Sequence, residues 1–210
     1  MVRMKTDTTR IAAAAEWRLI GLLLERPRRG WHEEVAQLSR EVRDVPLRAA
    51  ADAARGAAEG DYLHLVGPGG LVSPREVTYQ PFADPGQLLA ELATVYDAFA
   101  FRPHVEEPID HIAVEVAFVA YLLLKEAFAT ARGDHEAAAT TAGARQGFME
   151  SHLAALAGTF AERVESAGPS YLLPISRLLA VRVPARHSAQ RLPSADAADI
   201  CGGCGDADVY

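Results

Sequence analysis

A chain of 210 residues is long enough to bury a hydrophobic core as one ordinary domain. Half of the residues are hydrophobic but only 7% are aromatic, and the apolar residues are mostly Ala, Leu and Val, which favours packed helices over a β-sandwich. The formal net charge of -7 argues against a nucleic-acid ligand, because phosphates attract clusters of Lys and Arg.

The first predicted helix covers residues 9–26. Apolar residues recur there at spacings of three and four, Thr8 or Thr9 can cap the start, and Pro27 ends the helix. Its uninterrupted apolar run, residues 19–24, is shorter than the roughly 7–15 residues of a signal peptide or the about 20 of a membrane span. We therefore expect a cytoplasmic protein that does not insert into a membrane.

Two more helices and an irregular connection are predicted next. One helix is expected at residues 31–42 and another from Pro46, a good first-turn residue, to about residue 59. Residues 61–86 contain four prolines and four glycines without a clean alternation, so they predict a long irregular connection rather than a strand pair. The glycine-rich run at 67–70 lacks the Lys-Ser/Thr of a phosphate-binding P-loop, and only a weaker nucleotide interaction stays open.

The second half of the chain again predicts helices, followed by a tail. The helical segments are residues 84–101, 108–132, 135–168 with a break near Gly143 or Gly147, and 170–183. We expect an all-α, single-domain helical bundle of about seven or more helices over residues 1–183. Residues 184–210 have no apolar stripe and predict a flexible tail.

The predicted helix at Pro108 begins with a group of charged side chains. With Pro108 as the first helical residue, Glu107, Asp110, His111 and Glu115 gather on one side, at the positive end of the helix dipole. An ordinary helix start needs only one carboxylate, whereas three on one face repel each other. Two interpretations stay open: the group is an ordinary helix cap, or it is a site for an incoming guanidinium. Between two carboxylates, His111 is expected to hold its proton more firmly than a free histidine.

Residues 96–122 resemble the signature of the TorD/DmsD/NarJ family of molybdoenzyme maturation chaperones, in which an E-P-x-D-H run opens a long helix. Residues 107–111, termed here the signature segment, supply this run. The residues that match the run and its continuation are Glu107, Pro108, Asp110, His111, Glu115 and Phe118. Two further segments are similar to the family, through Gly67, Pro68, Pro74 and Tyr79, and through Phe148, His152, Leu153 and Phe160.

The resemblance implies an all-helical cytoplasmic chaperone without a catalytic cycle. Such a protein would hold the apo catalytic subunit of a molybdopterin-dependent oxidoreductase, shield its N-terminal twin-arginine leader or an equivalent segment, and assist molybdenum cofactor insertion. Compatible clients are reductases of nitrate, of N- or S-oxides or of oxyanions, and hydroxylating dehydrogenases. The resemblance also implies a monomer or a dimer that exchanges helices, which the connection at 61–86 would permit.

Two kinds of side chain are predicted to bind the client leader. Carboxylates can form charge-assisted bonds to arginine, but micromolar binding needs about 8 kcal/mol, so an apolar groove must contribute as well. The predicted client-binding residues are Glu107, Asp110, His111, Glu115, Tyr79, Tyr96 and Phe118. Further aromatic candidates for the groove are Phe82, Phe99 and Tyr121.

A lone Cys-x-x-Cys pair, Cys201 and Cys204, lies in the predicted tail. One such pair is half of a zinc or iron–sulfur site, and no second pair and no thioredoxin-like βαβ pattern accompanies it. The sequence also lacks G-x-S-x-G and H-E-x-x-H motifs, so no catalytic residue is expected and no cofactor is implied elsewhere in the chain. The alternative function is therefore a metal- or redox-linked accessory protein that acts through Cys201 and Cys204.

Overall fold

The structure is a computed structural model that describes residues 2–103 and 106–183, with side chains described from residue 9 onward. Within these residues the chain is helical apart from connecting loops, and it forms no β-strand, so the predicted all-α class is confirmed. The helices are α1 (Val2–Leu24), α2 (Trp31–Glu41), α3 (Val45–Ala53), α4 (Glu59–Val66), α5 (Pro85–Ala98), α6 (Ile112–Arg132), α7 (His135–Phe148), α8 (Ala154–Ser166) and α9 (Leu172–Arg182). The predicted tail at 184–210, with Cys201 and Cys204, lies outside the described residues.

Helix α6 forms the centre of the bundle because it is apolar on nearly every side. Val114, Val116 and Phe118 are fully buried, and the helix packs lengthwise against α1 and α7. Gly21 of α1 allows a close approach, since a Cβ there would lie 3.4 Å from Val116. None of the described helices combines the length and the hydrophobicity that a membrane span requires.

Helix α6 begins at Ile112, four residues after the predicted start at Pro108. His111 has an extended backbone and caps the helix, since its Nδ1 accepts a hydrogen bond from the Ala113 N–H at 3.1 Å. The predicted start is wrong because proline fixes only its own φ, which a turn accepts as readily as a helix. The arrangement of Glu107, Asp110, His111 and Glu115 on one side of the helix, which assumed that start, is wrong as well.

The connection predicted at 61–86 is irregular only in its second part. Helix α4 covers Glu59–Val66, so α3 ends earlier than predicted and the irregular stretch begins at Gly67. A Cβ at Gly67 would lie 2.6 Å from the Leu63 carbonyl oxygen, which explains why glycine follows this helix. Residues 67–84, with a 3-10 turn at Glu76–Tyr79, are termed the 67–84 loop below.

The break predicted near Gly143 or Gly147 is a π-helical turn that begins at Met149, two residues after Gly147. The backbone is helical from His135 to Ser166 and changes only at a π-helical turn, Met149–Leu153. Such turns shift side chains around the helix axis and are frequent at functional sites. Here the π-helical turn carries His152 to a buried carboxylate, Glu76.

Candidate functional site

The signature segment lies against the 67–84 loop. An isolated antiparallel bridge pairs Arg75 with His111. The Glu76 N–H donates to the Asp110 carbonyl oxygen, and the Ile112 N–H donates to the Pro74 carbonyl oxygen, both at 2.9 Å. Two of the segments that carried the family resemblance are therefore joined by backbone hydrogen bonds.

Asp110 is fully buried and is bound by an arginine of its own chain. The Arg75 Nε donates to Oδ1 at 2.9 Å and to Oδ2 at 3.2 Å, and Nη2 lies 2.8 Å from Oδ1. The Val77 N–H also donates to Oδ2, at 3.4 Å. The carboxylate that was predicted to receive a client arginine thus receives Arg75, which the sequence prediction did not include.

His111 is buried and uncharged in this environment. Its Nδ1 accepts a backbone hydrogen bond, so the proton of the neutral ring lies on Nε2, which donates to the Tyr62 hydroxyl at 3.0 Å. Burial, followed by the positive charge of Arg75, lowers the pKa of His111 to about 3. The expectation of a firmly held proton is wrong, because desolvation opposes the charged ring.

Glu115 is fully buried, and neither carboxyl oxygen accepts a hydrogen bond from a donor among the described residues. Burial, together with the negative charges of Glu76 and Asp110, raises the pKa of Glu115 well above its usual range. A protonated Glu115 can donate its O–H to a carboxylate oxygen of Glu76, whereas two ionised carboxylates have no hydrogen to donate. Glu76 also accepts from Gln80 Nε2 at 2.5 Å and from His152 Nδ1 at 3.1 Å. We call Glu76, Asp110 and Glu115 the buried carboxyl cluster.

We expect Glu115→Gln to raise the free energy of unfolding relative to wild type, and to do so more at pH 8 than at pH 5. The raised pKa means that folded Glu115 keeps a proton that the unfolded chain loses above about pH 4.5. Its stabilising contribution is therefore complete below that pH and is lost as the pH rises, by up to about 1.4 kcal/mol per pH unit. Glutamine has no charge to desolvate, and its amide can still donate to Glu76.

Urea unfolding of wild type and Glu115→Gln at intervals from pH 5 to pH 9 checks this expectation. Glu107→Gln is the matched control, because Glu107 is only partly buried. The difference in free energy of unfolding between wild type and Glu115→Gln should grow as the pH rises. The difference between wild type and Glu107→Gln should stay constant. A constant difference between wild type and Glu115→Gln across this range would contradict a protonated Glu115.

Tyr96 and Phe118, both predicted to contact the client, lie in the hydrophobic core. Their ring centroids are 4.8 Å apart, and Phe118 lies 4.8 Å from the Phe148 ring as well. The Tyr96 hydroxyl donates to the Ile109 carbonyl oxygen at 3.0 Å, which attaches the signature segment to α5. In this conformation both residues support the signature segment from inside.

Two other predicted residues are accessible. Tyr79 is partly buried, its hydroxyl donates to the Ser73 carbonyl oxygen at 2.5 Å, and the Arg163 guanidinium lies 5.0 Å from its ring centroid. Glu107 is also partly buried, whereas the preceding Glu106 is exposed. The predicted client-binding residues therefore divide into buried and accessible sets and do not form one surface.

A cleft of about 630 Å³ opens between the 67–84 loop, α5 and the π-helical turn. Phe82, Leu88 and Val95 line it with apolar surface, and Phe82 is fully exposed. Two carboxylates, Asp84 and Glu91, also line the cleft, and its described lining contains no Lys or Arg. Of these residues sequence reasoning named only Phe82, because the cleft forms where residues 80–95 fold against the π-helical turn, about 60 residues later in the chain.

Gln80 and His152 connect this cleft to the buried carboxyl cluster. Both side chains line the cleft and both hydrogen-bond Glu76. The cleft therefore lies one side chain away from Glu76, a member of the buried carboxyl cluster. Within residues 2–103 and 106–183, no group of three or more His, Cys, Asp or Glu side chains is placed to hold a metal ion.

A comparison with protein families matches residues 25–162, about two thirds of the chain, to the family described as nitrate reductase delta subunit. The matched region includes the 67–84 loop, the signature segment and every residue named as lining the cleft. A comparison with curated proteins finds no match to the chain.

Proposed function

Because the chain belongs to the nitrate reductase delta subunit family, a family of molybdoenzyme maturation chaperones, we propose that it binds the apo catalytic subunit of a molybdopterin-dependent oxidoreductase and assists cofactor insertion. The family match over residues 25–162 carries this proposal. The activity would be exercised in the cytoplasm, before the client is exported or assembled. The family is one of accessory proteins rather than catalysts, which supports binding as the activity.

In this proposal the cleft receives the N-terminal segment of the client, a twin-arginine leader or its equivalent. The acidic residues Asp84 and Glu91 suit a basic segment, and the exposed ring of Phe82 offers apolar contact. Burying about 200 Å² of apolar surface would contribute about 5 kcal/mol, and charge-assisted bonds about 1.5–3 kcal/mol each before ordering costs. Micromolar binding needs about 8 kcal/mol after those costs, so both kinds of contact are required.

The experiment is a pull-down from the native host with tagged wild type and the double variant Phe82→Ala/Glu91→Arg, followed by mass spectrometry. The matched control is Phe128→Ala/Glu33→Arg, which makes the same changes on exposed residues outside the cleft. We expect wild type and control to recover a molybdopterin-type catalytic subunit and the cleft variant to recover about tenfold less, equivalent to about 1.4 kcal/mol.

Each other outcome removes one part of the proposal. Failure of wild type to recover any such subunit would contradict the chaperone function. Equal recovery by wild type and the cleft variant would keep the function and exclude the cleft as the binding site.

A further inference from the structure

This inference rests on the proposed function and concerns the regulation of its site. We propose that Arg75 fills a guanidinium site that an arginine of the client can take over. Client binding would then be coupled to the loss of one side-chain attachment between the 67–84 loop and the signature segment. Three observations support this exchange.

The first observation is that the site is built for a guanidinium and is accessible. Two nitrogens of Arg75 lie within 2.9 Å of a carboxylate that is 0% exposed, the paired geometry that arginine forms and lysine cannot. The Arg75 side chain itself is 39% exposed. It can therefore leave Asp110 toward solvent, and another guanidinium can approach, without opening the hydrophobic core.

The second observation is that acidic groups outnumber basic partners behind this ion pair. Among the described residues this buried carboxyl cluster has three carboxyl groups and two basic partners, Arg75 at Asp110 and His152 at Glu76. Glu115 is fully buried, and neither of its oxygens accepts a hydrogen bond from a described residue. Such a group normally has a partner, so the cluster is suited to receive one more hydrogen-bond donor than the chain supplies.

The third observation is that the same loop forms the internal ion pair and a wall of the cleft. Arg75 is followed by Glu76, which hydrogen-bonds Gln80, and by Phe82, and both Gln80 and Phe82 line the cleft. An arginine that displaces Arg75 would free the loop from one of its attachments at the moment when the client occupies the cleft. Since one guanidinium replaces another on Asp110, the exchange keeps the buried carboxylate paired throughout.

The test uses a fluorescein-labelled peptide, Ala-Arg-Arg-Leu-Leu-Ala, and its Lys-Lys analogue, titrated into the full chain. Arg75→Gln removes the internal competitor, so we expect it to bind the arginine peptide at least about 5-fold more tightly than wild type, with a smaller gain for the lysine peptide. Arg177→Gln is the matched control. It also removes one positive charge from an arginine–carboxylate pair, here the exposed pair with Glu165, and should leave both affinities unchanged.

Equal or weaker binding of the arginine peptide by folded Arg75→Gln would overturn the exchange. An equal gain for both peptides would also overturn it, because lysine cannot reproduce the paired geometry. If Arg75→Gln does not fold, Arg75→Lys keeps the charge, loses the paired geometry and should still show the gain for the arginine peptide. Recovery of the client by wild type in the pull-down, together with either negative result, would leave the proposed function standing and remove only this inference.

Discussion

Phe118→Ala is expected to lower the free energy of unfolding by about 3–5 kcal/mol, since truncating a buried aromatic side chain loses its burial and leaves a cavity. Phe118 is 0% exposed. The rings of Tyr96, Phe101 and Phe148 surround it with centroid distances of 4.8–5.1 Å. These neighbours belong to α5, the segment after it and α7, so a cavity here would loosen the contacts that position the signature segment.

Urea unfolding monitored by circular dichroism measures this loss. Phe82→Ala is the matched control, because it deletes the same side chain at a fully exposed position and should change stability by no more than about 0.5 kcal/mol. The client pull-down distinguishes a structural role of Phe118 from a role in client binding. If Phe118→Ala kept wild-type stability and lost only client binding, Phe118 would be the groove residue that the sequence predicted.

Acidification from pH 6.5 to pH 4 is expected to destabilise the protein through His111 by about 3 kcal/mol. The pKa of folded His111 is about 3, below its usual value of 6.5. Below pH 6.5 the unfolded chain therefore binds a proton at His111, which the folded chain does not bind until the pH approaches 3. The stabilising contribution is complete above pH 6.5 and is lost as the pH falls toward 3. Arg75 reinforces this effect because it would repel a charged imidazole.

The variant His111→Asn should flatten this part of the pH profile. Asparagine can still cap α6 but cannot take up a proton. The variant loses the hydrogen bond to Tyr62, so we expect its free energy of unfolding to be about 1 kcal/mol lower than that of wild type at pH 8. On acidification the variant should become the more stable of the two. Free energies of unfolding at pH 8, 6.5, 5 and 4 measure the crossing. His64→Asn, at an exposed histidine, is the control, and parallel profiles for wild type and His111→Asn would contradict a buried neutral His111.

The contacts in the structure give the signature segment a different role from the one that its charges predicted. Asp110 and His111 are internal groups, and their partners Arg75 and Tyr62 come from the preceding part of the chain. They hold the 67–84 loop and α4 against the start of α6. In the proposed chaperone the client would meet the cleft first and the carboxyl cluster behind it second.

Local signals in the sequence determined the helical class and several helix ends. Asp84 caps α5 by accepting from the Gln87 N–H at 2.8 Å, and Gly133, with φ of 78°, ends α6 where it was predicted to end. Apolar spacing likewise located α2 within one residue. Such signals act between residues a few positions apart, so they can be interpreted without knowledge of the fold.

The family resemblance also came from the sequence, since the order of Glu107, Pro108, Asp110 and His111 is a property of the chain. What these side chains contact was decided only by tertiary structure. Arg75 and Asp110 are 35 residues apart, and His152 and Glu76 are 76 residues apart. Charge patterns show which residues could form an ion pair, but burial and partner choice depend on how helices and loops pack. For that reason Asp110 and Glu115, predicted to receive a client guanidinium, are buried, and Asp110 already binds Arg75.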